Sequence, residues 1–443
     1  MLHSSYPQDH AARRARVMEA MGHGSALVLL SGHEKLRSRD TDYRFRADSD
    51  VVYLTGFEEP EAVLVLTPGR PQGAMTLFVR PRDAEKEIWT GRRFGVEGAK
   101  ARFGADEAWN LDALDAQLPK LLEGIDTLYY SLGVDEGFDL RMIKTLQGLR
   151  SRRGLPPAAP KALKDARELI HPFRWVKSED ELALLRRACA ISAEAHVAAM
   201  RACKPGCWEY ELEAVLEGVF RRHGCPAPSY GTIVGAGQNA TILHYTENQS
   251  QVQAGDLVLI DAGAEFRCYA GDITRTFPAS GRFSPVQRDL YQAVLEAEIA
   301  GIEMCVPGAT WLQIHEATLR RLTQSMVDLG LLHGDVDGLI ESKAYQKFYM
   351  HKTGHYLGMD VHDVGPYFEP DGSAKKLVPG VVQTIEPGIY IQPNAPDVPE
   401  HFWGIGVRIE DDVLTTADGF EVLTGGVPKT IEAIEALVGA DHR

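Results

Sequence analysis

No apolar run in the 443-residue chain approaches the roughly 18 residues of a membrane span, and the opening segment MLHSSYPQDHAARRARVMEAMG has no apolar stretch of the secretory type. Neither a membrane-embedded nor an exported protein is expected. Positive charge is scarce as well: 47 Lys and Arg stand against 62 Asp and Glu, and the formal net charge of -15 disfavours non-specific binding to nucleic acid or anionic membrane. Cysteine is sparse and unpaired in sequence. The six residues (Cys189, Cys203, Cys207, Cys225, Cys268, Cys305) include no C-x-x-C, so free thiols in a cytoplasmic protein are expected rather than a disulfide framework. A G-x-S-x-G elbow and a P-loop are also missing, and Gly235-Ala-Gly237 is half of a dinucleotide fingerprint without its strand-turn-helix context.

What is present is an ordinary globular composition, 44% hydrophobic and 25% charged, in a chain long enough for two domains. From 25 to 80 the pattern is strand-like, in SALVLLSG, DVVYLTGF, EAVLVLTPG and MTLFVRP, and helical periodicity follows at 109–123 and 137–150. This predicts an α/β domain over 1–174. The Pro- and Arg-rich stretch SRRGLPPAAPKAL at 151–163 precedes Ser178, which with Glu181 makes the capping box S-E-D-E of a long helix. A boundary near 174–177 follows, with a second domain over 175–443. There, helices near 178–202, 208–223, 285–304 and 310–330 alternate with β-rich blocks at 229–277 and 349–425, which reads as α+β with antiparallel sheet. Within it, GDLVLIDAG (255–263) is echoed by GVVQTIEPG (380–388), as if each half of the domain delivered one carboxylate from a matching strand.

Those carboxylates are the anomaly that points to chemistry. Asp261 ends the continuous apolar run LVLI, and Asp272 follows eleven residues later; a hairpin centred on Phe266-Arg267 would set the two directly opposite. Two anions that close need a shared proton or cations, unless the strands are exposed and the acids face solvent. Further on, MHKTGHYLGMDVHDVG holds His351, His355 and His362, while Glu386 and Glu410 again follow apolar Ile residues in strand-like sequence. Any one of these has a bland reading as a core histidine or an edge charge. Together, four acids on apolar strands and a histidine cluster suit a two-metal site, in which carboxylates bridge the cations. Mostly oxygen donors with one imidazole form a hard site that favours Mn²⁺, although Co²⁺ or Zn²⁺ would fit. The H-x-x-x-H spacing of His351 and His355 is not a zincin helix, because Lys352 stands where the base would be and Gly354 disfavours a helix.

These residues carry a family resemblance. HYTEN (244–248), LIDAGAEFRCYAGDITRTF (259–277), HYLGMDVHDVG (355–365), IEPGIYI (385–391) and GIGVRIEDD (404–412) resemble the pita-bread metallopeptidases, in particular bacterial Xaa-Pro aminopeptidases. FRADSDVVYLTGFEEPEAVLVL (45–66) and EIWTGRRFG (87–95) resemble that family's creatinase-like N-terminal domain. The resemblance implies a pita-bread domain of pseudo-twofold halves. It also implies two divalent metals, usually manganese, on Asp261, Asp272, His355, Glu386 and Glu410, with Asp272 and Glu410 bridging. His244, His351 and His362 would line the substrate cleft, Arg408 would support a ligand, and Tyr230 and Tyr390 would lie nearby. Asp40 and Trp89 would limit or contact substrate. A metal-bridging hydroxide would attack the N-terminal Xaa-Pro bond of a peptide with Glu386 as general base and then acid, in a homodimer or homotetramer. A prolidase restricted to dipeptides has the same motifs, and a metal-free creatinase-type hydrolase or a non-catalytic binding module shares the fold.

Overall fold

The computed structural model describes residues 8–151 and 158–438. The first seven residues and part of the Pro- and Arg-rich stretch at 151–163 lie outside this set. The chain divides into two compact units, Pro7–Phe173 and a second that begins at Arg174.

In the first unit a mixed six-stranded sheet runs in the order Glu107–Asn110, Met75–Val79, Val63–Leu66, Ser25–Leu30, Thr127–Tyr129, Ala162–Lys164. Its apolar strands pack Val28, Val65 and Phe78 against Leu118, Leu122 and Met142 of the helices Leu114–Leu122 and Glu136–Arg150. One expected strand is a helix instead: DVVYLTGF contains the helix Ser49–Thr55. Asp48 caps it by accepting from the Asp50 and Val51 amides, and Gly56 ends it at φ 68°. All seven of its residues are buried. Burial of Val51, Val52 and Leu54, at ~1.5–3 kcal/mol each, outweighs a β-preference whose whole scale spans about 1 kcal/mol. Asp40 lies in the exposed turn between the short strands Leu36–Ser38 and Thr41–Asp42, and Trp89 is 87% exposed on the helix Ala84–Thr90.

The second unit is built from two similar halves. In each, a pair of packed helices accompanies antiparallel strands: Glu179–Ala202 with Glu209–Arg222 in the first, Pro285–Glu303 with Trp311–Asp328 in the second. The expected box at Ser178 is present, with the Glu181 carboxylate accepting both the Ser178 amide at 3.1 Å and its hydroxyl at 2.7 Å. In the first half Leu257–Asp261 is the central strand between Ile233–Ala236 and Thr274–Pro278. In the second, Asp411–Thr415 lies between Val382–Ile385 and Phe420–Val422, while Gly388–Ile391 pairs with Ile405–Arg408. An isolated bridge between Thr274 and Glu410 joins the halves.

The hairpin after Asp261 differs from its expected register. Asp261 pairs with Thr274, not Asp272, and the turn falls at Arg267-Cys268. Both turn residues have positive φ (53° and 65°), as a primed two-residue hairpin turn requires. A shift of two residues leaves the face unchanged, because side chains alternate with period two. Asp272 therefore still points to the side of Asp261, two residues before its partner Thr274 rather than directly across from it.

Candidate metal centre and active site

The strand ends of the two halves meet at a cavity of about 470 Å³. Ten of the expected residues line it: Tyr230, His244, Asp261, Asp272, His351, His355, His362, Glu386, Arg408 and Glu410. Tyr390 is fully buried behind the wall and reaches the site through its hydroxyl. Asp40 and Trp89 belong to the N-terminal unit.

Each donor is fixed by backbone. The segment that carries His355 runs alongside the strand Val382–Ile385: the Thr384 amide donates to His355 O at 2.8 Å, the Leu357 amide to Val382 O at 3.0 Å, and the Glu386 amide to Thr353 O at 2.7 Å. His355 and Glu386 thus share one ladder. Gly354 lies close against this strand, since a Cβ there would lie 2.1 Å from Thr384 O. Replacing it with alanine is expected to cost about 1–3 kcal/mol of overpacking and to move His355 off its partners. Thermal unfolding and metal titration of Gly354→Ala check this; wild-type values for both would contradict it.

The donor atoms of Asp272, His355 and Glu410 lie within 4.8 Å of one another. Glu386 Oε1 and Asp272 Oδ2 each stand 3.5 Å from His355 Nε2. On the other flank the Tyr230 hydroxyl donates to Asp261 Oδ1 at 2.6 Å and also contacts Asp272 Oδ1, while Arg408 Nη2 donates to Asp261 Oδ2 at 2.7 Å. Glu410 accepts from the Thr274 hydroxyl at 2.7 Å. Among the described residues, the cations paired with these four carboxylates are Arg408 and His355, and Lys352 lies on the cavity wall. Burial and mutual repulsion raise the pKa values of Asp272 and Glu410, and burial, opposed by His355 and Arg408, raises that of Glu386 to about 7. Burial alone would lower the pKa of His355, but its hydrogen bond to Asp272 and the charge of Glu386 raise it to about 9. A deficit of positive charge among hard oxygen donors and one imidazole fits divalent cations.

The histidines differ in their engagement. Burial lowers the pKa of His351 to about 4, so its ring is neutral. Its Nδ1 lies 2.7 Å from Lys352 O, which requires the proton there, and its Nε2 accepts from the Tyr390 hydroxyl at 2.8 Å. Arg408 Nη1 in turn donates to that hydroxyl at 3.1 Å. His362 packs edge-on against His355 at 4.4 Å between ring centres and is exposed to the cleft, as is His244.

Sequence reasoning missed the groups behind the ligands. Asp412 Oδ2 accepts the Asp272 amide at 3.0 Å and the Cys189 thiol at 3.2 Å, and burial with the nearby Asp272 raises its pKa. Asp411 is the opposite case: against the cost of burial, Arg275 and Lys429 hold it well below the usual carboxylate range. Asp363 fixes the backbone beside His362 through Arg174 at 2.6 Å and Lys177 at 3.0 Å. The signal was the run Glu410-Asp411-Asp412 itself, too many acids for one cleft face of a strand.

The chain is similar to known proteins over both of its units. Metallopeptidase family M24 matches residues 183–417, and the aminopeptidase P N-terminal domain matches 10–129. The Xaa-Pro aminopeptidase of Escherichia coli K12 is 45% identical over 439 residues, 98% of each chain. The structure of Pseudomonas aeruginosa aminopeptidase PepP aligns with a TM-score of 0.96 at 49% identity over 98% of both chains. A zinc-substituted E. coli aminopeptidase P in complex with product aligns at 0.94 and 45% identity, again over 98% of both.

Proposed function

The chain belongs to metallopeptidase family M24, and from that membership we propose that it is an aminopeptidase that hydrolyses the N-terminal Xaa-Pro bond of peptides with the help of two divalent cations. The observation that carries this reading is the charge-deficient cluster of Asp261, Asp272, His355, Glu386 and Glu410 in one cleft. These five residues would hold the metals. Hard donors favour manganese, and cobalt or zinc would fit the same set. Bound there, the cations supply Lewis acidity and lower the pKa of a water.

The chain's own residues do the rest. Glu386 takes a proton from the attacking water and returns it to the proline nitrogen as the peptide C–N bond breaks. Arg408 orients Asp261 directly and His351 through Tyr390. His362 and His244, exposed on the cleft wall, contact the substrate backbone and the developing oxyanion. No helix among the described residues is long and apolar enough to cross a membrane, and the acidic charge disfavours nucleic acid. A cytoplasmic homodimer or homotetramer completes the proposal.

Chelation is expected to bring turnover of Xaa-Pro-Yaa-Zaa peptides to background, and Mn²⁺ to restore it at two ions per chain by elemental analysis. Full activity after chelation would leave the metal-free hydrolase. Turnover confined to Xaa-Pro dipeptides would make the protein a prolidase.

A further inference from the structure

His244 reaches the cleft on a segment with little regular structure. After the strand Ile233–Ala236 comes a short 3-10 turn, Gly237–Thr241, and then an irregular stretch to Ser250 in which Leu243, His244 and Thr246 line the cleft. A segment of this kind holds a side chain in place only if its ends and middle are tied.

One carboxylate makes most of those ties. Glu209, at the first position of the helix Glu209–Arg222, has no exposed surface. Its Oε1 accepts the Ala236 amide at 2.8 Å and Asn239 Nδ2 at 2.9 Å; its Oε2 accepts the Tyr245 hydroxyl at 2.9 Å and the Ser250 amide at 2.8 Å. The four donors are neutral and together fill about four lone-pair sites of a carboxylate. They come from the start, the turn, the middle and the end of the His244 segment, and Tyr245 is its chain neighbour. Asn248 secures the other side, accepting from the Val234 amide at 3.0 Å and donating to Thr232 O at 2.9 Å. A negative charge at a helix N-terminus is itself favourable, which offsets part of the cost of burying it.

We propose that Glu209 is a positioning residue for the reaction: by gathering Ala236, Asn239, Tyr245 and Ser250 onto one carboxylate it sets where His244 stands over the substrate. The kinetic part of this rests on the aminopeptidase reading. Glu209 touches none of the proposed ligands, so its effect is on substrate engagement and not on metal binding.

The test is Glu209→Gln, which keeps the volume but replaces two acceptor sites with two donors that face donors. Hydrogen exchange should become at least tenfold faster at the Ala236 or Ser250 amide while Leu257–Asp261 stays protected. Metal content should equal wild type, and kcat/KM on an Xaa-Pro-Yaa peptide should fall on the order of a hundredfold, the effect of displacing a site group by about 1 Å. Combined with His244→Ala, it should add nothing to the loss from His244→Ala alone. Wild-type kcat/KM in Glu209→Gln while His244→Ala is impaired would overturn the proposal, as would additive losses or depleted metal. Should the Gln variant not fold, Tyr245→Phe removes one donor and should give a smaller loss that is likewise absent in the His244→Ala background; an additive loss there overturns the proposal as well. If the wild type cleaves no Xaa-Pro peptide, the parent reading fails, and the exchange rates still decide whether the tie exists.

Discussion

Replacing Glu386 with alanine should lower kcat on Xaa-Pro peptides by about 10⁴-fold, the upper end of what a positioned proton-transfer group contributes. The upper end applies because this carboxylate has two tasks. It stands 3.5 Å from His355 among the proposed ligands, and as the proposed base it also carries the proton of the attacking water to the leaving nitrogen. Its backbone is tied to Thr353 O at 2.7 Å and its Oε1 accepts from the Thr384 hydroxyl at 3.3 Å, which holds the carboxylate in place. Glu386→Gln separates the tasks, since an amide retains one ligand oxygen but cannot take a proton. Steady-state kinetics with metal analysis on both variants reads the result. A Gln variant with full metal and near wild-type kcat would remove Glu386 as the base and leave it a ligand only.

The chemistry of the site was legible in the sequence because its residues violate a local rule. Asp261, Glu386 and Glu410 each interrupt apolar strand sequence with an acid, and the echo between 255–263 and 380–388 marks the two similar halves. Periodicity also placed the four long helices within two residues of their observed ends. What was hidden depended on information that is not local. The hairpin turn at Arg267-Cys268 has no Gly or Asn to mark it, and left-handed backbone there costs ordinary residues roughly 1–2 kcal/mol each, so the more central Phe266-Arg267 was the natural guess. The helix Ser49–Thr55 is β-branched sequence made helical by its caps and complete burial. The adjacent acids Asp411 and Asp412 have pKa values shifted in opposite directions because one meets Arg275 and Lys429 and the other meets Asp272, partners that are distant in the chain.

The Arg275 contact carries the largest expected effect on stability. Arg275 is fully buried, and its guanidinium donates to Asp411 Oδ1 at 2.7 Å, Glu410 O at 2.6 Å, Thr274 O at 3.0 Å and Pro428 O at 3.2 Å. It therefore ties the strand after Asp272 to the carbonyl of Glu410, joining the two halves where their ligands meet. In Arg275→Met the Asp411 carboxylate keeps Lys429 at 2.6 Å and the Thr424 hydroxyl at 2.6 Å, while the Glu410 carbonyl loses its short partner. Breaking a buried pair from one side costs about 3–5 kcal/mol. For a unit of this size that lowers Tm on the order of 10 °C. Lys429→Met should cost less, because the Lys429 side chain is 25% exposed and the ammonium it loses is partly screened. Differential scanning calorimetry on the two variants checks the order. A Lys429 variant that melts below the Arg275 variant would move the keystone of the network from the strand junction to the C-terminal segment. Metal titration adds a second reading: a Glu410 backbone released from Arg275 should weaken metal binding in Arg275→Met even at temperatures where the variant is fully folded.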